Sequence, residues 1–357
     1  MHLAALPVEA NHGKMLIFAA MFKCLEPILN IVSMMSVAEG MFKLTISHEE
    51  RQKCKEVRQH FGGESYSDHF MLGRIFQDFT SSKSNESVFC EKNFLNRSAM
   101  IKATLIKKQL ISSLRSAKLM TRNFDENSAD WALVRFCISC GMHTNVAKID
   151  KNRRSMFTDS KRDLEFDGTS VLKMRDVADY PSEWCIFDKK VTNLNKTALK
   201  VNSIVGTWNI VLASQIPSDG ETTISDLKNL AVLETRTVEE KELIVHLKSH
   251  LDKLLHRFLS KREFEHEKED DVIINTIARF IESEDQKDGF EQKHNPNTQP
   301  RSFREKYFVL RSSDDIKLNQ WAVNSVIDLD EIHLSYDFIA EISSTDVVRK
   351  LITIRVG

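Results

Sequence analysis

At Asn145 the apolar pattern of this chain changes period. Before it, Ile106, Leu110 and Leu114 stand at i, i+4 and i+8 and share one helical stripe. After it, Ala147 and Ile149 alternate with Lys148 and Asp150, and Leu164 and Phe166 alternate with Asp163, Glu165 and Asp167. A helical pattern cannot bury its apolar face as a strand, nor the reverse, so the switch dictates an α+β chain: helical bundle first, small sheet second. After Gly220 the helical period returns. Leu243, Leu247, Leu251, Leu254, Leu255 and Phe258 make one amphipathic helix, and residues 270–283 a second.

The first part reads as helices from residue 14 to about 120. Its opening 40 residues are rich in Met, Leu, Ile and Ala, but Lys14, Lys23, Glu26, Pro27 and Asn30 interrupt them too often for a membrane span. Pro27 suits a first helical turn, Ser47 to Glu50 has capping-box spacing, and Gly62-Gly63 ends the helix that follows. The stretch YSDHFMLGRIFQDF offers Phe70, Ile75, Phe76 and Phe79 to a core. Beyond the polar loop at 81–87, residues 89–118 read as one long helix. Lys107, Lys108, Arg115 and Lys118 fall largely off its apolar stripe. That face is either solvated or lines a nucleic-acid channel.

The alternating part contains a meander of three short strands, with SMFT at 155–158 in the middle. Further strand candidates are 183–188, 199–205 and 208–213. Short strands with tight turns predict a small antiparallel barrel resembling the oligonucleotide-binding (OB) fold. The expected organisation is a helical domain over 1–125, a barrel over 126–220, a helical extension over 221–285, a Pro-containing linker over 286–305 and a last segment over 306–357.

No phosphate loop, nucleophile elbow, zinc-protease helix or EF-hand spacing is present. Gly13-Lys14 is followed by Met15 where a phosphate loop needs a hydroxyl, and Asp330-Glu331-Ile332-His333 spells a helicase box with no such loop upstream. Cys137 and Cys140 form a single CxxC near His143, without the second pair a zinc site needs, and read as buried thiols. The six cysteines suggest a reducing compartment, the cytosol or nucleus. Catalytic residues, metal ligands and cofactor-binding residues are therefore not expected.

The net charge is −1, so any polyanion site must be a local patch. One stands out: between Lys148 and Arg162 there are six cations (Lys148, Lys151, Arg153, Arg154, Lys161, Arg162) against Asp150 and Asp159. With Asn152 at its tip, this turn is either a solvated hairpin or a contact for a nucleic-acid backbone. Trp131, Phe157, Trp184 and Trp208 are candidate stacking platforms, though one Trp per element is ordinary core packing.

Several stretches, in order, resemble the helicase-associated and OB-fold region of DEAH/RHA-type RNA helicases. They are Leu3-Ala4 with Leu6-Pro7-Val8, Gly13-Lys14-Met15-Leu16, Cys24-Leu25-Glu26-Pro27, and Phe89-Cys90 with Asn93-Phe94-Leu95. Asn145-Val146-Ala147, Asp150, Phe166 and Ser170-Val171-Leu172 follow, then Pro181, Trp184, Phe187 and Asp188. Asp167 and Gly168 depart from the family's usual His-Pro. The resemblance covers roughly residues 2–215. Beyond 226 the helical pair, and KYFVLRSSDD with Trp321, resemble the branch that carries a YTH domain, a reader of N6-methyladenosine, although no second cage Trp lies downstream. In the family two motor domains and a winged helix come before this region, and they bind ATP and magnesium.

The resemblance implies an accessory module of an ATP-dependent 3′-to-5′ RNA helicase, in which ratchet helices and barrel guide single-stranded RNA. It implies as partners the motor domains and regulatory proteins, and no membrane. Without a phosphate loop this chain alone is expected to have no ATPase activity. The alternative is a non-catalytic scaffold that docks proteins through the helices at 226–283.

Overall fold

In a computed structural model, the structure describes residues 6–290, apart from single residues and pairs at 159, 161–162, 194–195, 219, 228–229 and 262–263, and a three-residue strand at 353–355. Lys161, Arg162, most of the linker, the Asp330–His333 box and nearly all of the 306–357 segment lie outside the described residues.

Seven helices come first: α1 (Ala10–Met21), α2 (Leu25–Met35), α3 (His48–Gly62), α4 (Asp68–Ser81), α5 (Glu86–Lys92), α6 (Arg97–Ser116) and α7 (Trp131–Met142). The α3 capping box forms as its spacing requires, Ser47 Oγ accepting from Glu50 N and Glu50 accepting from Ser47 N, and Gly63 ends the helix at φ 50°. Both α1 and α2 are buried nearly all round, which explains their membrane-like composition. No described helix is long and apolar enough to cross a membrane. The single helix expected over 89–118 is two. The chain breaks at Phe94, with φ 55°, and Asn96 caps α6 by accepting from Ser98 N.

The barrel follows: β1 (Val146–Asp150), β2 (Ser155–Phe157), β3 (Leu164–Phe166), β4 (Trp184–Asn193) and β5 (Lys196–Val205), in the order β2-β1-β4-β5-β3. β1 pairs antiparallel with β2 and β4, and β4 with β5, but β3 pairs parallel to β5, with Leu164 opposite Thr197. The expected meander and wholly antiparallel barrel are thus corrected to a mixed sheet. β3 lies beside β2 without a ladder between them, so the barrel nearly closes. Its interior is a core of its own, built from Ala147, Ile149, Met156, Leu164, Phe166, Leu172, Tyr180, Cys185, Phe187, Leu199 and Ile204.

The expected strand at 208–213 is a helix, α8 (Thr207–Ala213). Its start is fixed from far away: Glu284 accepts from Thr207 N and Trp208 N. Then come β6 (Thr223–Asp226), β7 (Val232–Glu234), α9 (Val238–Ser260) and α10 (Lys268–Asp288), with β8 (Thr353–Arg355) pairing on β7. α10 runs into what the sequence suggested as linker. These later elements share one continuous core with α1–α7, through Trp208, Leu251, Phe258, Ile274, Ile277, Phe280 and Ile281. The helical extension therefore folds back onto the bundle, and the barrel is set into its side.

Candidate nucleic-acid interface

The basic turn splits into two classes of side chain. Lys148 sits on β1 inside the fold, only 5% exposed, 3.9 Å from Glu183 and over the Trp184 ring. Burial pushes its pKa down, against the pull of Glu183 and Asp150. Lys151 turns inward and donates to the Tyr180 carbonyl at 2.5 Å. Asn152, Arg153 and Arg154 stay exposed at the tip. Asp150 organises that tip: its Oδ1 accepts from Asn152 N and Arg153 N at 3.0 Å. Arg154, at φ 52°, reaches Asp176 at 3.2 Å across solvent. Among the described residues, the turn thus presents two arginines and one amide, with Lys148 and Lys151 withdrawn into the fold.

A second basic element was missed in the sequence. The β4–β5 hairpin carries Lys189, Lys190, Lys196 and Lys200, with no acid between Lys189 and Asn202. The ladder register puts Lys189 directly opposite Lys200, an arrangement that like charges oppose. Strand alternation puts Lys196 on the same face as that pair. Acids from other elements answer the three lysines of that face: Glu9 takes Lys189 at 3.2 Å, Glu39 takes Lys200 at 3.4 Å, and Glu165 takes both Lys196 and Lys173. These ion pairs are largely exposed, so each is weak and exchangeable. The two lysines hold the Glu165 carboxyl below the usual range. Lys190 lies on the opposite face, within reach of the Thr158 and Ser160 hydroxyls. The signal available in the sequence was the acid-free run itself.

On α6 the three candidate channel cations divide. Lys107 points into the bundle, binding Glu26 and, at 2.8 Å, Asn30 Oδ1. Lys108 and Arg115 are exposed, and share one helix face with Lys102, Ile101 and Leu105. The whole helix contains no acid.

The candidate stacking platforms are mostly core. Trp184 and Trp208 are buried, Trp131 stacks on Phe70 at 4.1 Å, and Phe157 is half-buried. Cys137 and Cys140 are buried in α7, Cys137 Sγ lies 3.5 Å from Cys24 Sγ, and burial pushes both α7 thiols well up. His143 bonds the Cys140 carbonyl.

Many residues that carried the family resemblance build the seam between bundle and barrel. Asp68, at the start of α4, accepts from Val171 N, Ser170 Oγ and Asn202 N. Burial pushes its pKa up, although these bonds pull the other way. Ser203 Oγ meets Ser67 Oγ at 2.5 Å and His69 Nδ1 at 2.7 Å. Asn145 Nδ2 donates to the Asp188 carbonyl, and Asp188 Oδ1 takes His12 Nε2 at 2.9 Å.

Comparison with known proteins agrees with this architecture. The model for the helicase associated domain (HA2), ratchet-like, matches residues 9–72, which run from the cap of α1 into α4. The chain is homologous to the C-terminal region of DEAH-type RNA helicases. It is 29% identical over 207 residues to the DExH-box ATP-dependent RNA helicase DExH3 of Arabidopsis thaliana, covering 57% of this chain and 16% of that protein. It is 23% identical over 338 residues to Protein benign gonial cell neoplasm of Drosophila melanogaster, covering 81% of this chain and 27% of that protein. With the ATP-dependent DNA/RNA helicase DHX36 of Mus musculus the identity is 26% over 204 residues, 53% of this chain and 20% of that protein. The chain thus spans less than a third of the length of these relatives.

Proposed function

We propose that this chain is the RNA-binding accessory region of an ATP-dependent 3′-to-5′ RNA helicase of the DEAH type, acting in the cytosol. In this reading single-stranded RNA passes along the outer face of α6, across the barrel and past the tip formed by Asn152, Arg153 and Arg154. The observation that carries it is the acid-free β4–β5 hairpin, set on the barrel beside a bundle that matches a helicase-associated domain. Its lysines sit opposite one another and rely on exposed carboxylates, which a phosphate backbone displaces readily. The kinship to the YTH-carrying branch rests on the helical pair after 226 and the 306–357 sequence, and is part of the same proposal. Motor domains supply ATP hydrolysis; the chain alone supplies none.

The test is fluorescence anisotropy of a short labelled single-stranded RNA, across salt. Affinity is expected to fall steeply with salt, with a slope of roughly −0.7 per neutralised phosphate. Lys196→Ala/Lys200→Ala and Arg153→Ala/Arg154→Ala variants are expected to lose both affinity and slope. RNA-stimulated ATPase activity in the pure chain would sink the accessory reading.

A second reading, a protein-docking scaffold, draws on one groove. It has a volume of about 1240 Å³ and runs between α1, α7, α9 and the segment after α8, floored by Ile17, Phe18, Leu230, Leu255 and Leu259. Salt-independent absence of RNA binding would favour it.

A further inference from the structure

At the mouth of the seam, three metal-ligating side chains converge from two elements. His12 comes from α1, Glu9 from the cap of that helix, and Asp188 from β4. One ligand atom of each lies within 4.8 Å of the others. We propose that Glu9, His12 and Asp188 form a binding site for a divalent transition ion of the zinc class, which staples the bundle to the barrel. The donor set of one imidazole and two carboxylates suits such an ion better than magnesium, which prefers oxygen alone.

A second observation points the same way. His69 of α4 gives its Nδ1 to Ser203, while its Nε2 is sealed from solvent with no hydrogen-bond partner among the described residues. His69 lies near enough to Asp188 and His12 for their charges to act on it, and burial pushes its pKa down to about 4.

The geometry needs only a small adjustment. Donors sharing one ion at about 2.0–2.2 Å stand about 3.4 Å apart on a tetrahedral edge. His12 Nε2 and Asp188 Oδ1, hydrogen-bonded at 2.9 Å and both nearly buried, open slightly as the ion replaces the proton between them. Glu9 is exposed and can swing once its ion pair with Lys189 opens. Asn145 braces Asp188 through its carbonyl, the kind of outer support that ligating residues need. An entry path exists, since Glu9 and His12 line a groove of about 980 Å³ with Ser98 and Lys102. Lys189 competes: its ammonium holds Glu9 at 3.2 Å, a positive charge beside the position proposed for the ion. Half of the Lys189 side chain is exposed, so it can leave.

That competition makes the test two-sided. The full chain, stripped with a chelator, is titrated with Zn²⁺ by calorimetry and with Co²⁺ by visible absorption. One saturable site with nitrogen and oxygen ligation is expected. Glu9→Gln weakens it by about tenfold or more, Lys189→Met tightens it, and Zn²⁺ raises the melting temperature of the native chain. Both variants are at exposed positions, so the test does not depend on a His12→Gln variant that folds. The proposal is overturned if no saturable site is found, if the two variants titrate like the native chain, or if Co²⁺ shows the charge-transfer band of thiolate ligands.

Discussion

The bundle and the barrel use charge in opposite ways. In the bundle, charged groups are buried and locked: Lys23 is 2% exposed and meets Asp271 at 2.6 Å, and Arg135 of α7 pairs with Asp285 of α10 deep in the core. Glu284, next to Asp285, caps α8. These contacts join elements distant in the sequence, and clamp the extension onto the helices it follows. On the barrel, the lysines of β4 and β5 stand exposed and borrow exposed carboxylates from Glu9, Glu39 and Glu165. Ion pairs of the first kind hold structure, because removing one partner strands a buried charge. Pairs of the second kind contribute little to stability and leave cations open to a ligand.

The contrast puts the largest effect at the buried clamp. Arg135→Ala leaves Asp285 without its cation and is expected to destabilise the chain by about 3–5 kcal/mol in urea unfolding. A change under about 1 kcal/mol would mean that the extension is not held this way.

Next comes the seam histidine. The unfolded chain takes up a proton on histidine near pH 6.5, whereas folded His69 does so only near 4. Between those values the unfolded state binds more protons, so the contribution is present above pH 6.5 and is lost as pH falls through 4. The expected loss is about 3 kcal/mol, and a His69→Gln variant should show a flatter pH dependence by that amount. An unchanged profile would contradict it.

A Cβ at Gly206 would collide with the Glu284 carboxylate that caps α8. Gly206→Ala is therefore expected to destabilise by about 1–3 kcal/mol, read from thermal unfolding. The smallest stability effect is on the barrel: Lys196→Ala/Lys200→Ala should stay within about 0.5 kcal/mol of the native chain while weakening RNA binding.

Local features of the fold were legible in the sequence; distant ones were not. The Ser47–Glu50 box and the Gly63 stop act over a few residues and form as read. WNIVLA at 208–213 is too short and too apolar for period to separate strand from helix, and its cap, Glu284, lies 77 residues away from Thr207. The parallel pairing of β3 with β5 depends on closure of the barrel, which no local pattern encodes. In the basic turn, composition counted Lys148 and Lys151 as available. Alternation along β1 puts Lys148 on the outward face, and only the fold shows that the barrel is packed on both sides there. The run from Lys189 to Lys200 was visible, but its meaning lies in the register that sets Lys189 against Lys200.

The central claim is that the barrel, not the bundle interior, presents its cations to RNA. The most direct measurement compares the salt dependence of single-stranded RNA affinity for the native chain and for Lys196→Ala/Lys200→Ala. The account predicts a steep native slope that becomes shallower by roughly 0.7 for each phosphate left without its lysine, with unfolding unchanged. Equal slopes in the two proteins, or no binding by the native chain at low salt, would contradict it.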